Sequence, residues 1–86
     1  MLKINEIYNE NCLEGMKKID NKSIDFIFTD LPFSTTQNSW DIMIPFDSLW
    51  EQYERIIKDN GCIALWAQSQ FDKKLACSNE KLYRYE

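Results

Sequence analysis

One short run of the sequence combines a carboxylate, a rigid turn and an aromatic ring: Thr29-Asp30-Leu31-Pro32-Phe33. The Asp30 carboxylate can accept a hydrogen bond from an exocyclic amine. The Leu31 carbonyl can accept a second one, because a residue that precedes proline is pushed into extended backbone. The Phe33 ring can stack on a flat ring, a contact worth about 1–3 kcal/mol per stacked base. The run therefore predicts a pocket for a planar ring that carries an amine.

Strands must hold this run in place, and three stretches rich in β-branched and aromatic residues predict them, at residues 3–8, 24–29 and 62–67. The run begins where the second predicted strand ends. In open α/β sheets, ligands bind outside the carboxyl ends of the strands. We therefore expect Asp30 to lie at the edge of a binding crevice.

Helical periodicity between the strands predicts three helices. Asn11 is expected to cap the first helix. Ser48 and Glu51 match a capping box for the second helix, and Asn60-Gly61 is expected to end it. Its apolar residues share one face: Leu49, Tyr53, Ile56 and Ile57. The third helix is expected to begin at Ser69.

The alternation of strands and helices predicts an α/β fold in one domain, residues 1–86, with three to four mostly parallel strands and flanking helices. Tyr83-Arg84-Tyr85 is a candidate start for the fourth strand. Continuous apolar strands are typical of sheets that are covered on both faces, so Leu65 and Trp66 are expected in the core. So small a sheet has open edges, which predicts pairing with another chain or with a missing C-terminal half.

The run around Asp30 resembles the D/N/S-P-P-Y/F/W signature of DNA amino-methyltransferases. Asn11-Cys12-Leu13-Glu14 is similar to that family's early D-C-L-E element, and residues 24–29 are similar to the strand before the signature. Residues 35–41, 49–53 and 67–68 resemble one branch of the family. The resemblance covers nearly all of the chain and implies part of a Rossmann-like methyltransferase sheet.

In the β-class order of this family, the target-recognition region follows the signature and a glycine-rich cofactor loop of F-x-G-x-G type comes last. This chain has only two glycines, Gly15 and Gly61, so the loop is absent. The resemblance thus implies the N-terminal catalytic segment of a cytoplasmic restriction-modification enzyme that methylates adenine N6 in DNA with S-adenosylmethionine. The segment is expected to be inactive alone and to bind the cofactor poorly.

The same resemblance assigns roles to individual residues. It implies catalytic roles for Asp30, Leu31, Pro32 and Phe33. It implies cofactor contacts for Asn11, Cys12 and Asp30. Phe33 and Trp40 are implied at the flipped target base or the DNA, although Trp40 could instead cover the open top of the sheet. Aspartate at position 30 resembles the adenine-modifying members more than those that act on cytosine.

Three residues depart from the family pattern. Leu31 replaces the usual first proline, which frees its φ angle and adds an N–H group. Asn11 stands where the family often has aspartate. Phe33 replaces the commoner tyrosine, which keeps the stacking face and loses a hydroxyl. A pocket for a flat ring survives all three changes.

Other functions remain open from the sequence. The formal net charge of −4 is unfavourable for holding a phosphate backbone, which favours a non-enzymatic remnant or interaction module. A related methyltransferase acting on RNA or on a protein amide is a further alternative. With no histidine and three scattered cysteines, the sequence predicts neither a metal site nor a disulfide framework. No apolar run approaches the roughly 20 residues that cross a bilayer, so we expect no membrane partner.

Overall fold

A computed structural model of the chain describes residues 2–31, 44–66 and 69–83, and for residues 69–72 the backbone alone. The elements follow the order α1 (Cys12–Met16), β1 (Ile24–Asp30), α2 (Phe46–Ile56), β2 (Ile57–Trp66) and α3 (Ser69–Ser78). Strands β1 and β2 form a two-stranded parallel sheet with helices packed against it. The predicted α/β class and parallel pairing are confirmed.

The prediction of a strand at residues 3–8 is wrong, and the sheet has two strands within the described ranges rather than three or four. The segment lies without a neighbouring strand to pair with. Ile4 is 85% exposed and Ile7 is 99% exposed, and Asn5 adopts a left-handed φ of 63°. An extended pattern without a ladder partner does not form a strand. A fourth strand was predicted to start at Tyr83-Arg84-Tyr85; Tyr83 is the last residue of the described range, and Arg84 and Tyr85 lie outside it.

Helix α2 buries the face that its periodicity predicts, with Leu49, Tyr53 and Ile56 all buried. Its ends differ from the prediction. The helix begins after Pro45, whose fixed φ suits a helix start, so Ser48 and Glu51 already lie within it. The backbone then becomes extended at Ile57 (φ −75°, ψ 139°), so Asn60-Gly61 lies in β2 and does not end the helix.

Gly61 lies where β2 carries extra residues, between the pairs Ile24–Ile57 and Phe26–Cys62. A Cβ atom on Gly61 would come within 2.9 Å of the Asp25 carbonyl oxygen and 2.8 Å of the Ile57 side chain. Close approach of two backbones, rather than a positive φ, therefore requires glycine at this bulge.

The predicted cap of α1 at Asn11 and the predicted start of α3 at Ser69 are confirmed. The Asn11 Oδ1 atom accepts a hydrogen bond from the Leu13 N–H at 2.9 Å, which caps α1. Helix α3 begins at Ser69 as expected. Its far end is held against α2, because the Trp50 Nε1–H donates to Ser78 Oγ at 2.8 Å. Each helix in the described part of the chain is too short or too polar to cross a membrane.

Among the described residues, the buried core lies on one face of the sheet. Its buried cluster contains Leu31, Leu49, Tyr53 and Leu75, with Ile27, Ile63, Leu65 and Met16 packed against it. The opposite face carries Phe26, Phe28 and Trp66, which are 56%, 63% and 61% exposed. We call these three residues the open face. The prediction that Trp66 belongs to the core and that both faces are covered is wrong, because every helix residue of the cluster packs on the other side.

Candidate active site

An open cleft of about 510 Å³ lies beside β1. Its walls come from α1, β1, α2 and the turns between them, and most of the lining is apolar. Cys12 contributes from the start of α1, Thr29 and Leu31 from the carboxyl end of β1, and Tyr53 from α2. The cleft follows β1 from Ile24 past Phe26 and Phe28 to Leu31, so it includes, among other parts of the strand, the end where parallel strands place ligands.

Asp30 is the last residue of β1 and pairs with Trp66 across the ladder. Its side chain is exposed. Leu31 follows it and is only 4% exposed, because its side chain enters the core cluster beside Leu49, Tyr53 and Leu75. The sequence suggested a role for the Leu31 carbonyl and missed the burial of its side chain. Pro32, Phe33 and Trp40 lie outside the described residues.

Tyr53 links α2 to the end of β1. Its hydroxyl donates a hydrogen bond to Thr29 Oγ1 at 3.2 Å, and its ring meets Trp50 edge-on with centroids 5.8 Å apart. Burial raises the pKa of the Tyr53 hydroxyl above its ordinary value, and the nearby Cys12 acts in the same direction, while the hydrogen bond to Thr29 opposes the shift. The Tyr53 hydroxyl therefore stays protonated and donates its hydrogen bond to Thr29, the residue before Asp30.

Two of the residues implied in cofactor contacts, Asn11 and Cys12, differ in where the structure places their side chains. Cys12 lines the same cleft as Leu31 and Thr29, so the start of α1 and the end of β1 meet there. The Asn11 side chain is turned toward its own helix, where it accepts the capping hydrogen bond from Leu13. Its carboxamide oxygen is thus already used within the fold.

Arg55 fixes α1 against α2, and sequence reasoning missed it. Its guanidinium donates to the carbonyl oxygens of Met16 at 2.6 Å and Ile19 at 2.7 Å. It also donates to Asn21 Oδ1 at 2.7 Å and to Gln52 Oε1 at 2.9 Å. The Met16 carbonyl ends α1 and also accepts the Ile19 N–H at 3.0 Å, and the Ile19 carbonyl lies in the turn that follows the helix. A basic residue in the last turn of α2 was visible in the sequence, but nothing there indicates a partner 39 residues away.

The cleft could hold only the adenine portion of a cofactor such as S-adenosylmethionine. Its apolar walls with aromatic edges suit a flat purine ring, whereas apolar burial does not favour the positively charged sulfonium. Within the described part of the cleft, the lining includes no charged side chain that could hold the charged amino-acid end. These residues would therefore contact the apolar portion of such a cofactor and leave the rest to groups elsewhere.

Among the described side chains, at residues 2–31, 44–66 and 73–83, no group of three or more His, Cys, Asp or Glu is placed to hold a metal ion. Cys12, Cys62 and Cys77 are free and exposed.

Comparison with known proteins finds no match among protein-family profiles. No solved structure matches either. The chain is 30% identical over 56 residues to the type II methyltransferase M1.MboII of Moraxella bovis. The match includes 58% of this chain and 22% of the relative, so the chain spans about a fifth of the length of the relative it matches. This similarity supports a relationship between the chain and the methyltransferases.

Proposed function

We propose that this chain is the catalytic segment of an S-adenosylmethionine-dependent DNA methyltransferase that modifies adenine N6. The observation that carries the proposal is that Thr29 and Leu31, the residues on either side of Asp30, line one cleft together with Cys12, in a chain that is similar to a type II methyltransferase. Restriction-modification, DNA as the partner and a cytoplasmic location belong to the same proposal.

The amine of adenine is a weak nucleophile because its lone pair is conjugated with the ring. In the proposed mechanism, the base leaves the duplex, and its two amine hydrogens are accepted by the Asp30 carboxylate and the Leu31 carbonyl. Both acceptors favour a nitrogen that becomes tetrahedral and positively charged. Positioning and electrostatic stabilisation then supply most of the acceleration. S-adenosylmethionine supplies the methyl group when bound.

Residues outside the described ranges complete the proposed site. Pro32 would keep Leu31 extended, Phe33 would stack on the flipped base, and Trp40 would contact the base or the DNA. Asn11 and Cys12 are proposed on the cofactor side, with Cys12 favoured by its place in the cleft. Asn11 would contribute through its backbone, since its side-chain oxygen caps α1.

The proposed segment works together with further polypeptide. Three features support this: the cleft has an uncharged lining among its described residues, the sheet keeps an open face, and the net charge of −4 is unfavourable for DNA. Additional polypeptide would supply charged contacts to the cofactor, cover the open face and carry the positive charge that binding to DNA requires. We therefore expect the 86 residues alone to transfer no methyl groups.

The test joins this chain to the remaining part of the Moraxella bovis methyltransferase in place of the matching stretch. The chimera is incubated with duplex DNA and S-adenosylmethionine carrying a labelled methyl group, and the nucleosides are analysed by mass spectrometry. We expect labelled N6-methyladenine, which disappears when Asp30 is replaced by alanine. Label on cytosine, on RNA or on a protein amide would favour the corresponding alternative enzyme. A folded chimera that transfers no label would favour the interaction module.

A further inference from the structure

The carboxylate proposed for catalysis has no anchor of its own in the core. Asp30 is exposed, whereas the residues on either side of it face inward. Successive side chains in a strand point to opposite faces, so whatever holds the backbone at positions 29 and 31 also sets the direction of the Asp30 side chain.

On one side of Asp30, the anchor is a hydrogen bond. Tyr53 lies in α2 with its ring 4% exposed, and its hydroxyl donates to Thr29 Oγ1 at 3.2 Å. The residues are 24 positions apart in sequence, so the bond ties the end of the strand to the helix that crosses over it. A buried tyrosine normally satisfies its hydroxyl in this way, and here the partner is the residue before Asp30.

On the other side, the anchor is apolar burial. Leu31 is 4% exposed and packs in the same cluster as Tyr53, Leu49 and Leu75. Tyr53 therefore contributes to both anchors, since its hydroxyl binds position 29 and its ring belongs to the cluster that holds position 31. Few side chains in so small a core can act on both neighbours of one residue.

We propose that Tyr53 is a positioning residue that sets the direction of the Asp30 carboxylate through Thr29 and Leu31. The inference rests on the proposed function only where it calls Asp30 catalytic, because the tether itself is a property of the fold. The hydroxyl acts on Asp30 through Thr29, and the ring, which also lines the cleft, is kept in Tyr53→Phe. Removal of the Tyr53 hydroxyl is expected to make the backbone at the carboxyl end of β1 more mobile, while α2 and the rest of β1 stay ordered.

Amide hydrogen exchange tests the tether without any activity. Mass spectrometry at low protein concentration would follow peptides covering residues 27–31 in the parent and in Tyr53→Phe. We expect exchange there to accelerate about fivefold, the factor that corresponds to loss of one ordinary hydrogen bond. Tyr8→Phe is the matched control, since the Tyr8 hydroxyl binds the Lys3 backbone and lies away from the cleft. Unchanged exchange at residues 27–31, or equal acceleration throughout the chain, would overturn the proposal.

Substitutions at Thr29 separate the hydroxyl contact from general packing. Thr29→Val removes the acceptor and should reproduce the faster exchange. Thr29→Ser keeps the hydroxyl and should exchange at the parental rate. Tyr53→Phe combined with Thr29→Val should exchange no faster than either single variant. Additive effects of the two single changes would show that they act independently and would contradict a shared hydrogen bond.

Catalytic relevance is read from the chimera described above. Tyr53→Phe should lower the single-turnover methylation rate on the order of tenfold, as small misplacements of a reacting group do, with DNA affinity unchanged, whereas Tyr8→Phe should methylate at the parental rate. A Tyr53→Phe chimera that methylates at the parental rate would overturn the role of the tether in catalysis. A parent chimera without activity would count against the proposed function alone, because the exchange measurement still decides the tether.

Discussion

Asp30 is exposed between the half-buried Thr29 and the buried Leu31, and its proposed role belongs to the transition state. Asp30→Ala is expected to lower turnover of the chimera on the order of a hundredfold or more, as the loss of a preorganised electrostatic group does. Cofactor affinity should change little. Because the side chain is exposed, the free energy of unfolding should move by no more than about 0.5 kcal/mol.

Thermal melts and single-turnover methylation on the same preparations separate this role from a structural one. If Asp30 only ended the strand, the variant would lose stability and keep its turnover per folded molecule. A parental methylation rate in Asp30→Ala would remove the catalytic assignment.

Tyr53 gives a prediction about alkaline pH. Burial raises the pKa of its hydroxyl above the model-compound value of 10.0, so the folded chain keeps this proton at pH values where the unfolded chain loses it. The contribution to stability is therefore full below pH 10.0 and is lost as the pH rises from there through the folded-state pKa. Urea unfolding at pH 9 and above should show a falling free energy, and Tyr53→Phe should flatten that fall. Tyr8→Phe should leave it as in the parent, and an identical fall in Tyr53→Phe would contradict the assignment.

Helix α1 has five residues, too few to be stable from backbone hydrogen bonds alone. Its position depends on Arg55, whose guanidinium binds the carbonyl of Met16 at the end of α1 and the carbonyl of Ile19 in the turn that follows. Arg55→Ala is expected to lower the free energy of unfolding by about 2–3 kcal/mol, since hydrogen bonds from a charged donor are lost and their acceptors remain. Arg55→Lys should recover little, because an ammonium cannot reproduce the planar fork.

Denaturant unfolding measures the change, and exchange at residues 12–16 locates it. The matched control is Lys58→Ala, which removes a cation from an ion pair with the exposed Asp25 and should cost no more than about 1 kcal/mol. Equal losses of unfolding free energy in Arg55→Ala and Lys58→Ala would contradict the role of Arg55 in holding α1 against α2.

The elements that local pattern determines could be predicted from the sequence. The β1 strand, the buried face of α2 and the Asn11 cap depend on residues close in the chain, and all three are confirmed. Contacts between distant residues could not be predicted. Residues 3–8 have a strand pattern without a partner, Arg55 reaches 39 positions back, and Trp66 lies on the face that no helix covers. Apolar character alone does not say which face of a strand a helix will cover.

For the candidate site, the sequence singled out Asp30 and Cys12 but not the contacts that hold them. Tyr53 reads in the sequence as one apolar position of a helix face, and its hydrogen bond to Thr29 depends on the crossover geometry. Leu31 reads as a replaced proline, whereas its side chain is part of the core.

At the scale of the whole molecule, the open face governs association. Phe26, Phe28 and Trp66 expose adjacent aromatic surface, and the rings of Phe26 and Phe28 lie 6.2 Å apart. An apolar sheet face of this kind is expected to self-associate. Sedimentation velocity should show a weight-average mass that rises with concentration, and Phe28→Ser should shift the rise to higher concentration.

Ile4→Ser is the matched control, because Ile4 is 85% exposed but lies in the segment before α1, away from the sheet. A well-behaved monomer at high concentration would contradict the prediction, as would equal effects of the two substitutions.

The cleft leads to a prediction about the cofactor. The described lining includes no charged side chain for the amino-acid end of S-adenosylmethionine, and the sequence contains no glycine-rich loop to approach it closely. Calorimetric titration of the 86-residue chain should therefore give a dissociation constant weaker than about 1 μM, which corresponds to about −8.2 kcal/mol. The chimera serves as the positive control. Micromolar or tighter binding by the chain alone would show that these residues already form a complete site.

The anchoring of Thr29 and Leu31 affects when the backbone around Asp30 becomes ordered. Both anchors come from α2, α3 and the core between them, so the backbone around Asp30 takes its shape from this chain before any base, cofactor or second polypeptide arrives. A binding partner then meets a backbone that has already lost its conformational entropy. Affinity for that partner is reduced less by ordering than it would be for a disordered loop. Under the proposed tether, the direction of the Asp30 carboxylate is therefore set when the chain folds.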